Sequence, residues 1–151
     1  MIALHLSKPQ ILQACIQKQE RIIEDFERGI AELKNQLSSQ EESESQEHRP
    51  SPERRELFLR MEHELAFLNY EMAVLRHIEE DKSLDVVDLG AVVVTNHRTF
   101  FISASIERVE IEGLTVIGIS QKAPIYQVMK GKKAGESFDY GGVRFEILEV
   151  Y

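Results

Sequence analysis

The sequence predicts an α+β protein. An N-terminal antiparallel helical hairpin, residues 1–80, precedes a small antiparallel β domain with one short helix, residues 81–151. Two observations carry this reading. Apolar residues recur at spacings of three and four through the first half, and short β-branched or aromatic runs fill the second. Composition shifts near Asp81: of the 8 glycines only Gly29 precedes it.

The first helix is a heptad seam. Leu12, Ile16, Gln19, Ile23, Phe26, Ile30, Leu33 and Leu37 alternate steps of four and three without a break. Pro9 is tolerated in a first helical turn, and Ser7 precedes it as an N-cap. From Ser38 to Ser51 there is no apolar residue, and Pro50 and Pro52 bar a continuous helix. Ser51-Pro52-Glu53 then supplies a cap, a proline at the first helical position and a carboxylate near the positive helix end. Phe58, Met61, Leu65, Leu68, Met72 and Leu75 form the second seam, and Glu79 closes it. Two helices joined by a polar turn fold back on each other, giving a hairpin of roughly 45 Å with an acidic tip at 40–50.

The second half alternates with strand period. Residues 91–95, 99–103, 108–112, 115–119 and 143–147 are the strand candidates. Asn96-His97-Arg98, Glu112-Gly113 and Tyr140-Gly141-Gly142 suit turns between them. Pro124 to Lys130 suits about two helical turns, stopped by Gly131. A small antiparallel sheet around that helix is the economical packing.

Composition bounds the function. The chain has 151 residues, 18 Lys plus Arg against 26 Asp plus Glu, and a formal charge of −8. Hydrophobic residues make up 42%, too many for an acidic disordered tail, and the charge disfavours a generic grip on DNA. One cysteine, Cys15, excludes an internal disulfide and a Cys-based zinc site. Its place beside the seam reads as a small buried hydrophobe. No run approaches the ~18 apolar residues of a membrane span, and the N-terminus lacks the parts of a signal peptide. The expectation is a cytoplasmic chain with no membrane partner.

Two charged groups flank the tip. Glu41, Glu42, Glu44 and Glu47 lie within seven residues. They read either as a solvated loop or as carboxylates that hold Mg²⁺ together with a partner's ligands, because Mg²⁺ takes one or two carboxylates and keeps its waters. Arg49, Arg54, Arg55 and Arg60 read either as intrahelical partners of Glu53, Glu56 and Glu64 or as contacts to a nucleic-acid backbone. The five histidines show no metal-site spacing. Tyr126, Val128 and Met129 read as core residues of the short helix.

The stretch Ile119 to Glu136 resembles the signature of bacterial Gre transcript-cleavage factors. Ile119, Ser120, Pro124, Ile125, Gly131, Lys132, Gly135 and Glu136 match it, and Gly142 to Val150 looks like the family's final strand. The resemblance implies an N-terminal coiled coil joined to a C-terminal domain of FKBP-like fold. That domain would dock at the secondary channel of bacterial RNA polymerase through Ser120, Pro124, Ile125, Gly131 and Lys132. The tip would enter the channel near the nascent RNA 3′ end, where Glu41 and Glu44 would share Mg²⁺ with the polymerase, Glu42 and Glu47 being reserves.

The family's usual tip loop, close to Gly-Asp-Leu-Ser-Glu-Asn, is absent here, and Ala123 stands where the signature has Ser. By the resemblance, the polymerase would perform any cleavage, so the chain is expected to be a monomeric accessory factor rather than an enzyme, with no tightly bound cofactor and Mg²⁺ only in the complex. The alternatives are a non-cleaving regulator or inhibitor in the same channel, a peptidyl-prolyl isomerase, and a plain coiled-coil interaction module whose register Gln19 sets.

Overall fold

The computed structural model describes residues 5–42 and 52–151. By contacts the chain divides into two compact units, Gln19–Tyr70 and Met1–Lys18 with Glu71–Tyr151. The fold class is α+β: two long helices, then a six-stranded sheet and a short helix.

Helix α1 spans Lys8–Glu42 and α2 spans Pro52–His77. Ser7 caps α1 reciprocally with Gln10. The Gln10 N–H donates to Ser7 Oγ at 3.3 Å, and the Ser7 N–H donates to Gln10 Oε1 at 3.1 Å. This capping box satisfies donors that the first turn leaves open. Helix α1 continues past Leu37 to Glu42. Ser and Glu do not break a helix, and the first proline after Pro9 is Pro50. Helix α2 starts on Pro52, with Glu53 in its first turn and Arg76 and His77 in its last, as the helix dipole favours.

Within the unit Gln19–Tyr70 the seams hold the helices together. Gln19, Ile23, Leu33 and Leu68 are buried, and Phe26, Ile30, Leu37, Phe58, Met61 and Leu65 are half-buried. Gln19 Nε2 donates to the Leu68 carbonyl at 2.9 Å, and a β-carbon on Gly29 would lie 2.9 Å from Met61 Cε. Partner numbers fall along α2 as they rise along α1, so the pairing is antiparallel. Helix α2 also carries an outward apolar set, Leu57, Leu59, Phe67 and Tyr70, which the seam spacing did not reveal.

The other unit holds the sheet. Its strands are β1 Val92–Thr95, β2 Thr99–Ile102, β3 Glu107–Ile111, β4 Leu114–Ile119, β5 Ser137–Tyr140 and β6 Val143–Val150. Their order is β3-β4-β2-β1-β6-β5. The expected turns close the hairpins. Glu112 and Gly113 both have positive φ, as do Gly141 and Gly142, which is the conformation that two-residue hairpin loops require. Thr95 caps the β1–β2 turn by bonding the Arg98 backbone in both directions.

Two features differ from the sequence reading. The sheet is mixed rather than antiparallel, because β2 and β4 pair in parallel with Phe100 opposite Ile117. The chain leaves β2, runs to the edge as β3, and returns between them as β4. Strand β5 has no counterpart among the strand candidates: Ser-Phe-Asp-Tyr is too short and polar to stand out, and its pairing with β6 defines it.

Helix α3, Pro124–Met129, closes one face of the sheet. Tyr126 and Met129 pack with Val93, Phe100, Ile102, Phe138, Phe145 and Ile147. Within this same unit, residues from both ends of the hairpin bind the sheet segment. Glu71, 4% exposed, accepts the Ser105 N–H at 2.8 Å. Tyr151 donates to the Leu6 carbonyl, and Lys18 donates to the Arg108 carbonyl.

Candidate functional site

The segment that carries the signature folds as the end of β4, a turn, α3 and a second turn. Ser120 starts the first turn: its Oγ accepts the Lys122 N–H at 3.2 Å, and its carbonyl accepts the Ala123 N–H at 3.0 Å. Pro124 then occupies the first helical position with no N–H to leave unsatisfied. Tyr126 is buried, and its hydroxyl donates to Asp88 Oδ1 at 3.5 Å. Helix α3 ends when the Lys130 N–H donates to the Tyr126 carbonyl at 2.9 Å and Gly131 takes φ 78°.

The glycine and the lysine after it hold the second turn. The Gly131 N–H donates to the Val87 carbonyl at 2.8 Å, and the Val87 N–H donates to the Lys132 carbonyl at 2.9 Å. Glu136 folds the next turn by accepting the Lys133 N–H at 3.0 Å. The Gly135 N–H donates to the Ile147 carbonyl at 2.8 Å. Gly131, Gly135 and Glu136 therefore shape the backbone of this region.

Side chains of the five docking candidates sit differently. Pro124 and Gly131 are exposed, while Ser120, Ile125 and Lys132 are half-buried. Tyr126 and Met129 are core residues, as read from the sequence, but Val128 is 39% exposed and points away from the core they share. Pro124, Gln127, Val128, Lys130, Lys133 and Glu136 are among the exposed residues of this segment. Val128 is the residue that sequence reasoning assigned to the core. Tyr126 and Met129 lie three apart on one helical face and Val128 falls off that face, which is the signal that could have corrected this.

The tip residues are placed less fully. Glu41 and Glu42 are the last two residues of α1 by backbone. Glu44, Glu47 and Arg49 lie outside the described residues. Arg54 and Arg55 are exposed in the first turn of α2. Among the described residues no three His, Cys, Asp or Glu side chains gather where they could hold a metal. By residue type alone, Glu41, Glu42, Glu44 and Glu47 are the oxygen ligands that Mg²⁺ takes.

Two electrostatic features were not legible. Arg98 and Arg108, distant in sequence, line one concavity of about 230 Å³ with His97, Thr115 and Ile117, and no carboxylate lines it. A second pocket, of about 220 Å³, has Lys8, Lys82, His77 and Glu79 on its wall. Cys15 is fully buried, and burial pushes its thiol up to about 12, against the opposing pull of Lys18. It is a packing residue. No helix among the described residues is long and apolar enough to cross a membrane.

No family model matches the chain, and no curated protein matches it. Two of the solved structures similar to the chain are as follows. One is the crystal structure of GreA factor homolog 1 (Gfh1) of Thermus thermophilus, 15% identical, covering 90% of this chain and 94% of that one, with a TM-score of 0.33. The other is a structure of the transcription factor Gfh1, 19% identical, covering 99% of each chain, with a TM-score of 0.34.

Proposed function

We propose that the chain is an accessory factor of bacterial RNA polymerase, of the Gre type, acting through the secondary channel. The observation that carries this is the signature segment Ile119 to Glu136. Its matched glycines and Glu136 build the turns around α3, and Pro124 and Val128 stand exposed between them. The segment therefore presents a small apolar surface flanked by Lys130 and Lys133, as a docking element requires. The chain works as a monomer in the cytoplasm and performs no chemistry of its own.

Glu41 and Glu44 would be the carboxylates offered to a Mg²⁺ shared with the polymerase, Glu42 and Glu47 being reserves. A second Mg²⁺ in the polymerase site would supply charge stabilisation for RNA hydrolysis. This chain's own part would be to carry carboxylates to that position. The test is RNA cleavage in a stalled, backtracked complex, with the native chain and with Glu41→Ala plus Glu44→Ala. Faster cleavage that the double substitution abolishes supports the reading.

A second reading keeps the partner and changes the outcome. The tip lacks the family's usual loop, and a factor that binds the polymerase without preorganised carboxylates occupies the channel and regulates it. Binding without faster cleavage supports that regulator.

A further inference from the structure

We infer that the pocket between the first turn of α1 and the segment following α2 is a binding site for a small anion. It lies wholly within the unit that contains the sheet, and it stands independently of the polymerase reading. Its wall is Lys8, His77, Ile78, Glu79, Lys82, Leu84, Leu89 and Gly90, around a volume of about 220 Å³.

Lys8 is the reason. It is the first residue of α1, where a lysine is expected in solvent, yet it is 5% exposed. Its Nζ donates to the Lys82 carbonyl at 2.6 Å. An ammonium has three donors, so one bond leaves two to satisfy. Among the described residues no carboxylate lies within ion-pair distance of it. Lys82, on the same wall, adds a like charge rather than a counter-charge.

Buried ammonium groups are normally paired, because desolvation without a partner costs several kcal/mol. Here the missing charge is negative and the space beside Lys8 is open. Burial, and then Lys82, lower the Lys8 pKa from its ordinary value, as a charge lacking its partner requires. Glu79 is the single carboxylate on the wall, and it pairs with neither lysine. His77 holds its Nδ1 against the Ala73 carbonyl at 2.8 Å, which leaves Nε2 as its remaining ring nitrogen.

The wall also sets the ligand class. Two ammonium groups suit a carboxylate or a phosphate, and Ile78, Leu84 and Leu89 suit a few attached carbons. The volume corresponds to about seven water-sized groups, so the anion is small. A short-chain carboxylate and inorganic phosphate share the required chemistry, and the experiment separates them.

The test uses the full chain. Melting is followed at constant ionic strength in chloride, with added butyrate or inorganic phosphate. A saturable rise in Tm of about 3–5 °C at ten times the dissociation constant is expected for the better ligand. A larger response to butyrate assigns a carboxylate with an apolar part, and a larger response to phosphate assigns phosphate. Lys8→Met keeps length and packing without charge. It is expected to melt no lower than the native chain in chloride, and to lose the anion response.

Amide chemical shifts of the native chain provide a measurement that needs no variant. Saturable changes confined to Leu84, Leu89 and Gly90 and their neighbours support the site. No rise over chloride, an unchanged response in Lys8→Met, or shifts scattered along the helices would overturn it.

Discussion

At the residue scale, the buried Gln19 acts through one side-chain bond. Gln19 is 2% exposed in an otherwise apolar seam and spends its amide on the Leu68 carbonyl. That carbonyl is inside α2 and also serves the helix, so it tolerates loss of the second bond. Gln19→Leu is therefore expected to leave stability within about 1 kcal/mol of the native chain, whereas Gln19→Ala opens a void and costs about 1–3 kcal/mol. Urea unfolding measures both.

Cys15 and Tyr151 set the alkaline limit. Burial raises the Cys15 thiol from 9.0 to about 12. Burial, with Glu149 beside it, raises the Tyr151 phenol from 10.0 to about 12. Between the unfolded and folded values the unfolded state gives up protons that the native state keeps, so stability falls as pH rises. The contribution is complete below about pH 9 and is lost toward pH 12. Melting between pH 8 and 11 should show this fall, and Cys15→Ala should make it shallower. A native thiol that reacts with a disulfide reagent faster than the chain unfolds would contradict the burial of Cys15.

At the element scale, two glycines set how closely segments approach, with opposite consequences. A β-carbon at Gly118 on β4 would meet the Ala104 carbonyl and Ile106 Cβ, both at 2.9 Å. Backbone cannot yield cheaply, so Gly118→Ala is expected to cost about 1–3 kcal/mol. At Gly29 the obstacle is Met61 Cε, the end of a flexible side chain. There the helix propensity of alanine outweighs the shift, and Gly29→Ala is expected to raise stability by about 0.5–1 kcal/mol. Opposite signs in denaturant melts check the pair.

The elements themselves were unequally legible. Both seams, the Pro52 start, the hairpin turns and α3 follow from local spacing and local stereochemistry. The parallel pairing of β2 with β4 depends on a chain path that no local pattern records. Strand β5 exists only because β6 pairs with it.

At the scale of the whole molecule, the candidate site divides the same way. The signature was readable because its glycines and proline are fixed by turn geometry, and those turns are what they form. The meeting of Arg98 and Arg108 was not readable, since the mixed sheet brings them together. Nor was the burial of Lys8, because a first helical turn ordinarily faces water. Val128 is the consequential difference: the sequence placed it in the core and the structure exposes it on the proposed docking surface.

That surface also offers the most direct measurement. Binding of the labelled full chain to bacterial core RNA polymerase is compared with binding of Val128→Glu. Val128 is exposed, so the substitution should leave folding intact by circular dichroism and melting. Saturable binding by the native chain, weakened at least about tenfold by Val128→Glu, is the expected result. No binding by the folded native chain, or equal binding by the variant, would contradict a polymerase-docking role for this segment.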